Sequence, residues 1–126
     1  MTETTRTFAT VGAVFMAIAV ALGAFGAHAL RDRVAAELLV VWQTAVQYHV
    51  YHALGLFVVA AVAFLLPENS GVRLSGWLMT AGILLFSGSL YVLVLTGVRW
   101  LGAVTPLGGT ALIAAWLLLA WSLLRP

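Results

Sequence analysis

The sequence contains no cysteine and no lysine, and it has few charges of either sign. The absence of cysteine excludes disulfide bonds, thiolate catalysis, iron–sulfur clusters and cysteine-ligated zinc. Only 8% of the 126 residues are charged, against about 25% in a typical soluble domain. Six scattered arginines form no basic patch, so a nucleic-acid partner is excluded as well. With 63% hydrophobic residues, the chain is neither a water-soluble globule nor a disordered segment.

The few charges divide the chain into four long uncharged intervals. These cover residues 7–30, 38–67, 74–98 and 100–124, with lengths of 24, 30, 25 and 25 residues. About 20 helical residues, each rising about 1.5 Å, span the roughly 30 Å hydrocarbon core of a bilayer. Each interval is therefore long enough for one transmembrane helix. We predict an all-α polytopic membrane protein with a single domain, residues 1–126, of four transmembrane helices in an antiparallel bundle.

Turn and capping residues indicate helices that are shorter than the uncharged intervals. The predicted helices cover about residues 7–29, 44–66, 74–96 and 106–124. The 30-residue interval exceeds the thickness of the core, so a short interfacial helix is expected before the second span, with Trp42 at headgroup depth. Turn-forming residues at 67–71 predict a loop, and Gly97 is expected to end the third helix.

The first span has two notable features. Its N-terminal Arg6 and an Ala-His-Ala tripeptide at 27–29 resemble the ends of a signal peptide. The apolar run exceeds the usual stretch of about 7–15 residues, however, which favours a retained helix. Ala19, Gly23 and Ala27 recur every four residues, a spacing that predicts close packing against another helix.

The orientation of the chain in the membrane is undetermined, because three arginines fall on each side of the membrane.

All three histidines lie in or beside predicted spans, where polar side chains are costly. His28 ends the first helix, while His49 and His52 are three residues apart and can share one face of the second. The first helix ends on the side where the second begins, so contact among the three is feasible. The pattern fits interhelical hydrogen bonding, a proton or solute pathway, or a metal or haem site ligated by the three histidines. We commit to no cofactor.

Other polar residues concentrate in the same leaflet as the histidines. They could line the pathway or form hydrogen bonds between helices. No nucleophile–base pair and no acidic residue in a span accompanies them. The candidate polar cluster comprises His28, Gln43, Gln47, Tyr48, His49, Tyr51, His52, Ser87 and Tyr91.

A second motif begins the fourth helix. Thr105 and Pro106 are the predicted N-cap and first residue of that helix. Gly108 and Gly109 follow just inside it. Two glycines there predict either close helix packing or an anion site at exposed backbone N–H groups.

Five segments together resemble a known family. They are GAFGAHAL at 23–30, WQTAVQYHVYHAL at 42–54, FSGSLY at 86–91, LTG at 95–97 and TPLGG at 105–109. The chain is similar in these motifs to the domain of unknown function 423 family, small bacterial inner-membrane proteins with transmembrane protein 256-like relatives in animals. The resemblance implies four membrane helices and brings no established activity. The resemblance also implies that the following residues occupy motif positions of the family: His28, Gln47, Tyr48, His49, Tyr51, His52, Ser87, Tyr91, Thr96, Thr105, Pro106, Gly108 and Gly109.

The leading hypothesis is a non-enzymatic accessory or oligomeric membrane component. Small-residue faces favour helix partners, and no catalytic pair is visible. The alternatives are a proton or small-solute pathway lined by intramembrane His, Gln and Tyr, and a His-based metal or haem site. The expected partners are the lipid bilayer and either a second copy of the chain or a larger membrane complex. The expected location is the bacterial inner membrane.

Overall fold

Four long helices, described over residues 1–126 by a computed structural model, make up nearly all of the chain. Each is long and apolar enough to cross a membrane, which confirms the predicted number and order of spans. A π-helical segment, Gly26–Leu30, prolongs the first helix, and a 3-10 turn, Arg99–Ala103, precedes the last. The helices are α1 (Glu3–Phe25), α2 (Ala36–Leu65), α3 (Ser70–Thr96) and α4 (Thr105–Leu124).

Polar caps let two helices begin earlier than their apolar runs. The Thr2 hydroxyl accepts a 3.1 Å hydrogen bond from a backbone N–H in the first turn of α1. The Asn69 side chain accepts bonds from Gly71 N (2.9 Å) and Val72 N (3.2 Å) at the start of α3. Both satisfy N–H groups that have no acceptor within the helix. Gly97 ends α3 in the left-handed conformation (φ 73°), as predicted.

The stretch before the second span differs from the prediction in its continuity. A separate interfacial helix was expected before residue 44, yet α2 runs unbroken from Ala36 to Leu65. Its 30 residues extend about 45 Å, so the first turns reach beyond a hydrocarbon core of about 30 Å. The interfacial segment is therefore the beginning of α2 itself.

The helices pack mainly with their neighbours in sequence. α1 packs on α2, α2 on α3 and α3 on α4, whereas α1 and α4 make no contact. Short connections make successive helices antiparallel. The antiparallel bundle is thus confirmed, with α2 and α3 at its centre and α1 and α4 in the outer positions.

The bundle buries one apolar core and exposes an apolar exterior. Phe8, Leu56, Val59, Met79 and Leu112 belong to the core cluster, all almost completely buried. Large apolar side chains such as those at positions 20, 84 and 117 are exposed on the outer helix faces. A soluble protein rarely leaves so much contiguous apolar surface in water. The exterior is consistent with contact to lipid tails.

Small residues allow α1 to pack closely against α2, but they are not all the residues that the sequence predicted. Gly12, Ala19 and Gly26 face α2, and Gly26 lies directly beneath the Trp42 ring. Ala27, predicted to share this face, is exposed. Residues four apart are rotated by about 40° around a helix, so a strict four-residue repeat leaves the interface after a few steps.

Candidate functional site

The centre of the polar cluster is a hydrogen-bonded pair, the buried His49 on α2 and the half-buried Tyr91 on α3. The Tyr91 hydroxyl lies 2.8 Å from Nδ1 of His49, and the histidine is only 4% exposed. Phe15 of α1 meets the imidazole edge-on, with ring centroids 5.9 Å apart. The other ring nitrogen, Nε2, is buried and has no hydrogen-bonding partner.

The hydrogen bond between the pair joins α2 to α3. Nδ1 of His49 is the one partner of the Tyr91 hydroxyl. Either atom can donate this bond, according to which imidazole nitrogen carries the proton. In both tautomers Nε2 is a buried polar atom without a hydrogen-bonding partner.

Trp42 is also part of this centre, because it is buried between α1 and α3. It is 1% exposed, and its Nε1–H donates to the Leu22 carbonyl of α1 at 2.9 Å. Its ring is tilted against Tyr91, with centroids 4.8 Å apart. A buried indole N–H usually has a hydrogen-bond acceptor, and here the Leu22 carbonyl provides it. The strongly exposed tryptophans, Trp77, Trp100 and Trp121, lie near helix ends instead.

His52 is also buried but faces other neighbours. Its Nδ1 lies 2.7 Å from the Tyr48 carbonyl of its own helix, and its ring is 6.0 Å from Trp116 of α4. Residues three apart on a helix differ in direction by about 60°. His49 therefore points toward α1 and α3, and His52 toward α4.

His28 does not join the other two histidines. It is exposed in the π-helical segment after α1. No group of three His, Asp or Glu side chains lies close enough to hold one metal ion. The structure thus does not form the three-histidine ligand set considered from the sequence.

The glutamines and two tyrosines of the cluster form an exposed polar face on α2. Gln43, Gln47, Tyr48 and Tyr51 are all exposed. The Gln47 Nε2 donates to the Tyr51 hydroxyl at 2.6 Å. Ser87 is separate from this face: its buried hydroxyl donates to the Ala45 carbonyl of α2 at 2.7 Å. The predicted cluster therefore divides into a buried centre and an outward-facing surface.

The helix-entry motif packs α4 against α3. The Thr105 hydroxyl does not cap α4 as predicted; it lies 2.7 Å from the Ser89 hydroxyl of α3. Pro106 lies in the first turn, as expected. Gly108 is buried against the backbone of Phe86, and a methyl group there would overlap it. This contact accounts for Gly108 by close packing.

An apolar groove of about 150 Å³ adjoins His49 between α1 and α3. Its apolar walls include Phe15 and Leu22 of α1 and Ile83 of α3. Ile18 and Leu84, which also line it, are 45% and 61% exposed. The groove therefore opens sideways toward lipid, which is the geometry of a lateral binding site.

Sequence reasoning missed two contributors to this centre. Phe15 carries no polar group that would mark it. Trp42 is a residue type that is typical of the membrane interface, so its type does not indicate a buried site. The available signal was small-residue spacing, since Gly26, directly after α1, leaves room for the Trp42 ring. Recognising that contact requires knowing how α1 and α2 align.

Comparisons with known proteins agree with the fold. The family described as "Protein of unknown function (DUF423)" matches residues 22–109. The UPF0382 membrane protein YwdK of Bacillus subtilis is 54% identical over 114 residues, covering 90% of this chain and 93% of that protein. A UPF0382 membrane protein of Staphylococcus epidermidis is 43% identical over 120 residues, covering 95% of this chain and 97% of that protein. No solved structure matches the chain.

Proposed function

Because the chain belongs to the DUF423 family of membrane proteins, we propose that it acts as a non-enzymatic accessory or oligomeric component of the bacterial inner membrane. Its four apolar helices make it a multi-pass membrane protein. We propose that it associates with a second copy of itself through the polar face of α2.

The observation that carries the proposal is the exposed pair of Gln47 and Tyr51. Gln47 lies 11 residues after Ala36, the first residue of α2, and its side chain is exposed. One amide N–H is used in the bond to Tyr51. The second N–H and the amide oxygen have no protein partner within the chain. Polar groups left unpaired in hydrocarbon cost several kcal/mol each.

A facing helix would supply the missing partners. Glutamine side chains hydrogen-bond between membrane helices, and measured contributions average about 0.6 kcal/mol with values up to about 2 kcal/mol. Gln43 lies one turn away on the same exposed face. In a two-fold dimer each of these residues occurs twice, which doubles the number of bonds. The face is therefore suited to self-association.

We also propose that the protein has no enzymatic activity. The buried polar side chains of the bundle are a threonine, two histidines and four serines, engaged in hydrogen bonds within or between helices. The acidic residues lie in loops or, like Glu3 and Glu37, in the first turn of a helix, and no serine hydrogen-bonds a histidine to form a nucleophile–base pair.

Disulfide cross-linking tests the proposed interface without background, because the native chain has no cysteine. A Gln47→Cys variant is expected to form a covalent dimer in native membranes on oxidation. The matched control is Val20→Cys on α1, which is exposed and lies about one turn from Gly23, the residue packed against Val46. Val20→Cys is expected to remain monomeric.

The second part of the test is purification in mild detergent, followed by measurement of the mass of the purified protein and of anything bound to it. Wild-type dimers that dissociate in Gln47→Leu would support the α2 face as the contact. A different protein that copurifies and cross-links to Gln47→Cys would show an accessory role in place of self-association. A strictly monomeric protein with no copurifying partner would refute the proposal.

A further inference from the structure

A pocket of about 620 Å³ lies at the end of the bundle where α3 begins and α4 ends. Its lining includes two arginines and two tryptophans: Arg73 and Trp77 from α3, Trp121 from α4, and Arg125 directly after α4. No Asp or Glu is among the lining residues. The pocket therefore combines two positive charges with two aromatic rings.

Neither arginine has an anionic partner within the chain. Glu3 lines a neighbouring pocket that includes Arg73, and Glu68 lines another that includes Arg125. Neither carboxylate lies within 4.0 Å of the arginine, and neither guanidinium forms a hydrogen bond within the chain. An anion in the pocket would therefore bind two guanidinium groups that are not engaged by carboxylates.

Close packing of α3 against α4 brings the two arginines to one pocket. A Cβ on Gly71 would overlap the Ser122 hydroxyl, so the first turn of α3 lies directly beside the last turn of α4. The Ser122 side chain is buried and donates to the Leu118 carbonyl at 2.9 Å. The Arg125 guanidinium carbon lies 4.9 Å from the centre of the Trp121 ring, a cation–π contact that orients the arginine.

The pocket lies where the hydrocarbon core of the membrane ends. α4 has 20 residues without a charge, and its length of about 30 Å equals the thickness of the core. Arg125 follows the last of these residues and so lies at the boundary. On both helices a tryptophan lies four residues from the arginine, one turn closer to the middle of the membrane. Tryptophan is typical of the interface and arginine of contact with anionic headgroups.

We propose that the pocket binds one anionic phospholipid, with its phosphate between the guanidinium groups of Arg73 and Arg125. The planar fork of donors on each arginine matches the oxygens of a phosphate. The lining has no carboxylate to pair with the ammonium group of a zwitterionic lipid. The acyl chains extend past Leu74 and Trp77, which are 53% and 49% exposed. The site lies on α3 and α4 and does not depend on association through α2.

Native mass spectrometry in a non-ionic detergent tests the proposal, because it counts the lipids bound to the full chain. The probe is phosphatidylglycerol, and the lipid control is phosphatidylcholine, which has the same phosphodiester and an added ammonium group. Phosphatidylglycerol is expected to bind at one site per chain, at least about fivefold more tightly than phosphatidylcholine. Glycerol 1-phosphate has the phosphate without acyl chains and is expected not to displace phosphatidylglycerol at equal concentration.

Variants at exposed arginines separate the pocket from the general charge of the surface. Arg73→Gln and Arg125→Gln are each expected to weaken phosphatidylglycerol binding about fivefold. Arg6→Gln is the matched control, because Arg6 is exposed on the same side of the membrane and does not line the pocket. Its affinity is expected to equal wild type. Arg125→Lys keeps the charge but loses the planar fork, so its affinity is expected to lie between wild type and Arg125→Gln.

Three outcomes would overturn the proposal. An equal loss of affinity in Arg6→Gln would mean that the total charge on this side of the membrane attracts the lipid, without a specific site. Equal affinity for the two phospholipids would mean that the arginines do not select an anionic headgroup. Displacement of phosphatidylglycerol by an equal concentration of glycerol 1-phosphate would assign the arginines to a soluble phosphate.

Discussion

Replacing Gly108 by alanine tests how strictly the α3–α4 contact depends on a missing side chain. A Cβ at this position would lie 2.8 Å from the Leu85 carbonyl carbon and from Cα of Phe86, and closer still to the Phe86 nitrogen. Two of these distances are 0.6 Å shorter than 3.4 Å, the lower limit of ordinary van der Waals contact. The atoms belong to the backbone of α3, so no side chain can rotate away and the helices must separate.

The expected loss follows from two opposing effects. Overpacking of this kind costs about 1–3 kcal/mol, and separated helices also stretch the 2.7 Å bond from Ser75 to Ala115. Alanine gains about 1 kcal/mol of helix propensity over glycine. Gly108→Ala is therefore expected to lower the free energy of unfolding by about 1–2 kcal/mol.

The neighbouring glycine provides a matched control. A Cβ at Gly109 would lie 3.7 Å from the Phe86 ring, an ordinary contact, so only the propensity gain applies. Gly109→Ala is expected to be as stable as wild type or slightly more stable. The assay is equilibrium unfolding in mixed micelles, followed by helical circular dichroism. Equal stability of the two variants would refute the argument, because it would mean that α3 and α4 are free to adjust.

Three further variants address other contacts by the same unfolding assay. Trp42→Phe removes the bond to the Leu22 carbonyl and is expected to cost about 1–2 kcal/mol; an unchanged stability would contradict a net contribution from that bond. Ser75→Ala removes the donor to Ala115 and is expected to cost about 0.5–1 kcal/mol, as typical for bonds between membrane helices. Gly97→Ala places a side chain at φ 73° and is expected to cost about 1–2 kcal/mol, whereas no loss would mean that the turn relaxes.

The sequence predicted the spans because the membrane imposes a simple rule on them. Long uncharged intervals must be helical in lipid, and the four helices observed are the four expected. Gly97 was also predictable, since glycine alone adopts the left-handed conformation without strain. Helix starts were less predictable. The side chain of Asn69 extends α3 by an additional turn, and only a hydrogen bond in three dimensions reveals this.

The arrangement of the polar residues was not predictable, because it depends on rotation of the helices. His49 and His52 share a face by spacing, yet a difference of about 60° sends them to different neighbours. Thr105 has the sequence position of a cap, but the nearby Ser89 hydroxyl is a better partner once α3 and α4 are packed. Both outcomes follow from which helix faces which.

The contact pattern of the bundle has a consequence for how the chain is assembled. Each helix finds its principal partner in the helix next to it in sequence, and no interface joins α1 to α4. Contacts between near neighbours in sequence form quickly, because little chain entropy is lost in closing short loops. The α1–α2 hairpin can therefore pack before α3 leaves the ribosome. Later hairpins add to a surface already formed, and synthesis and folding proceed in the same order.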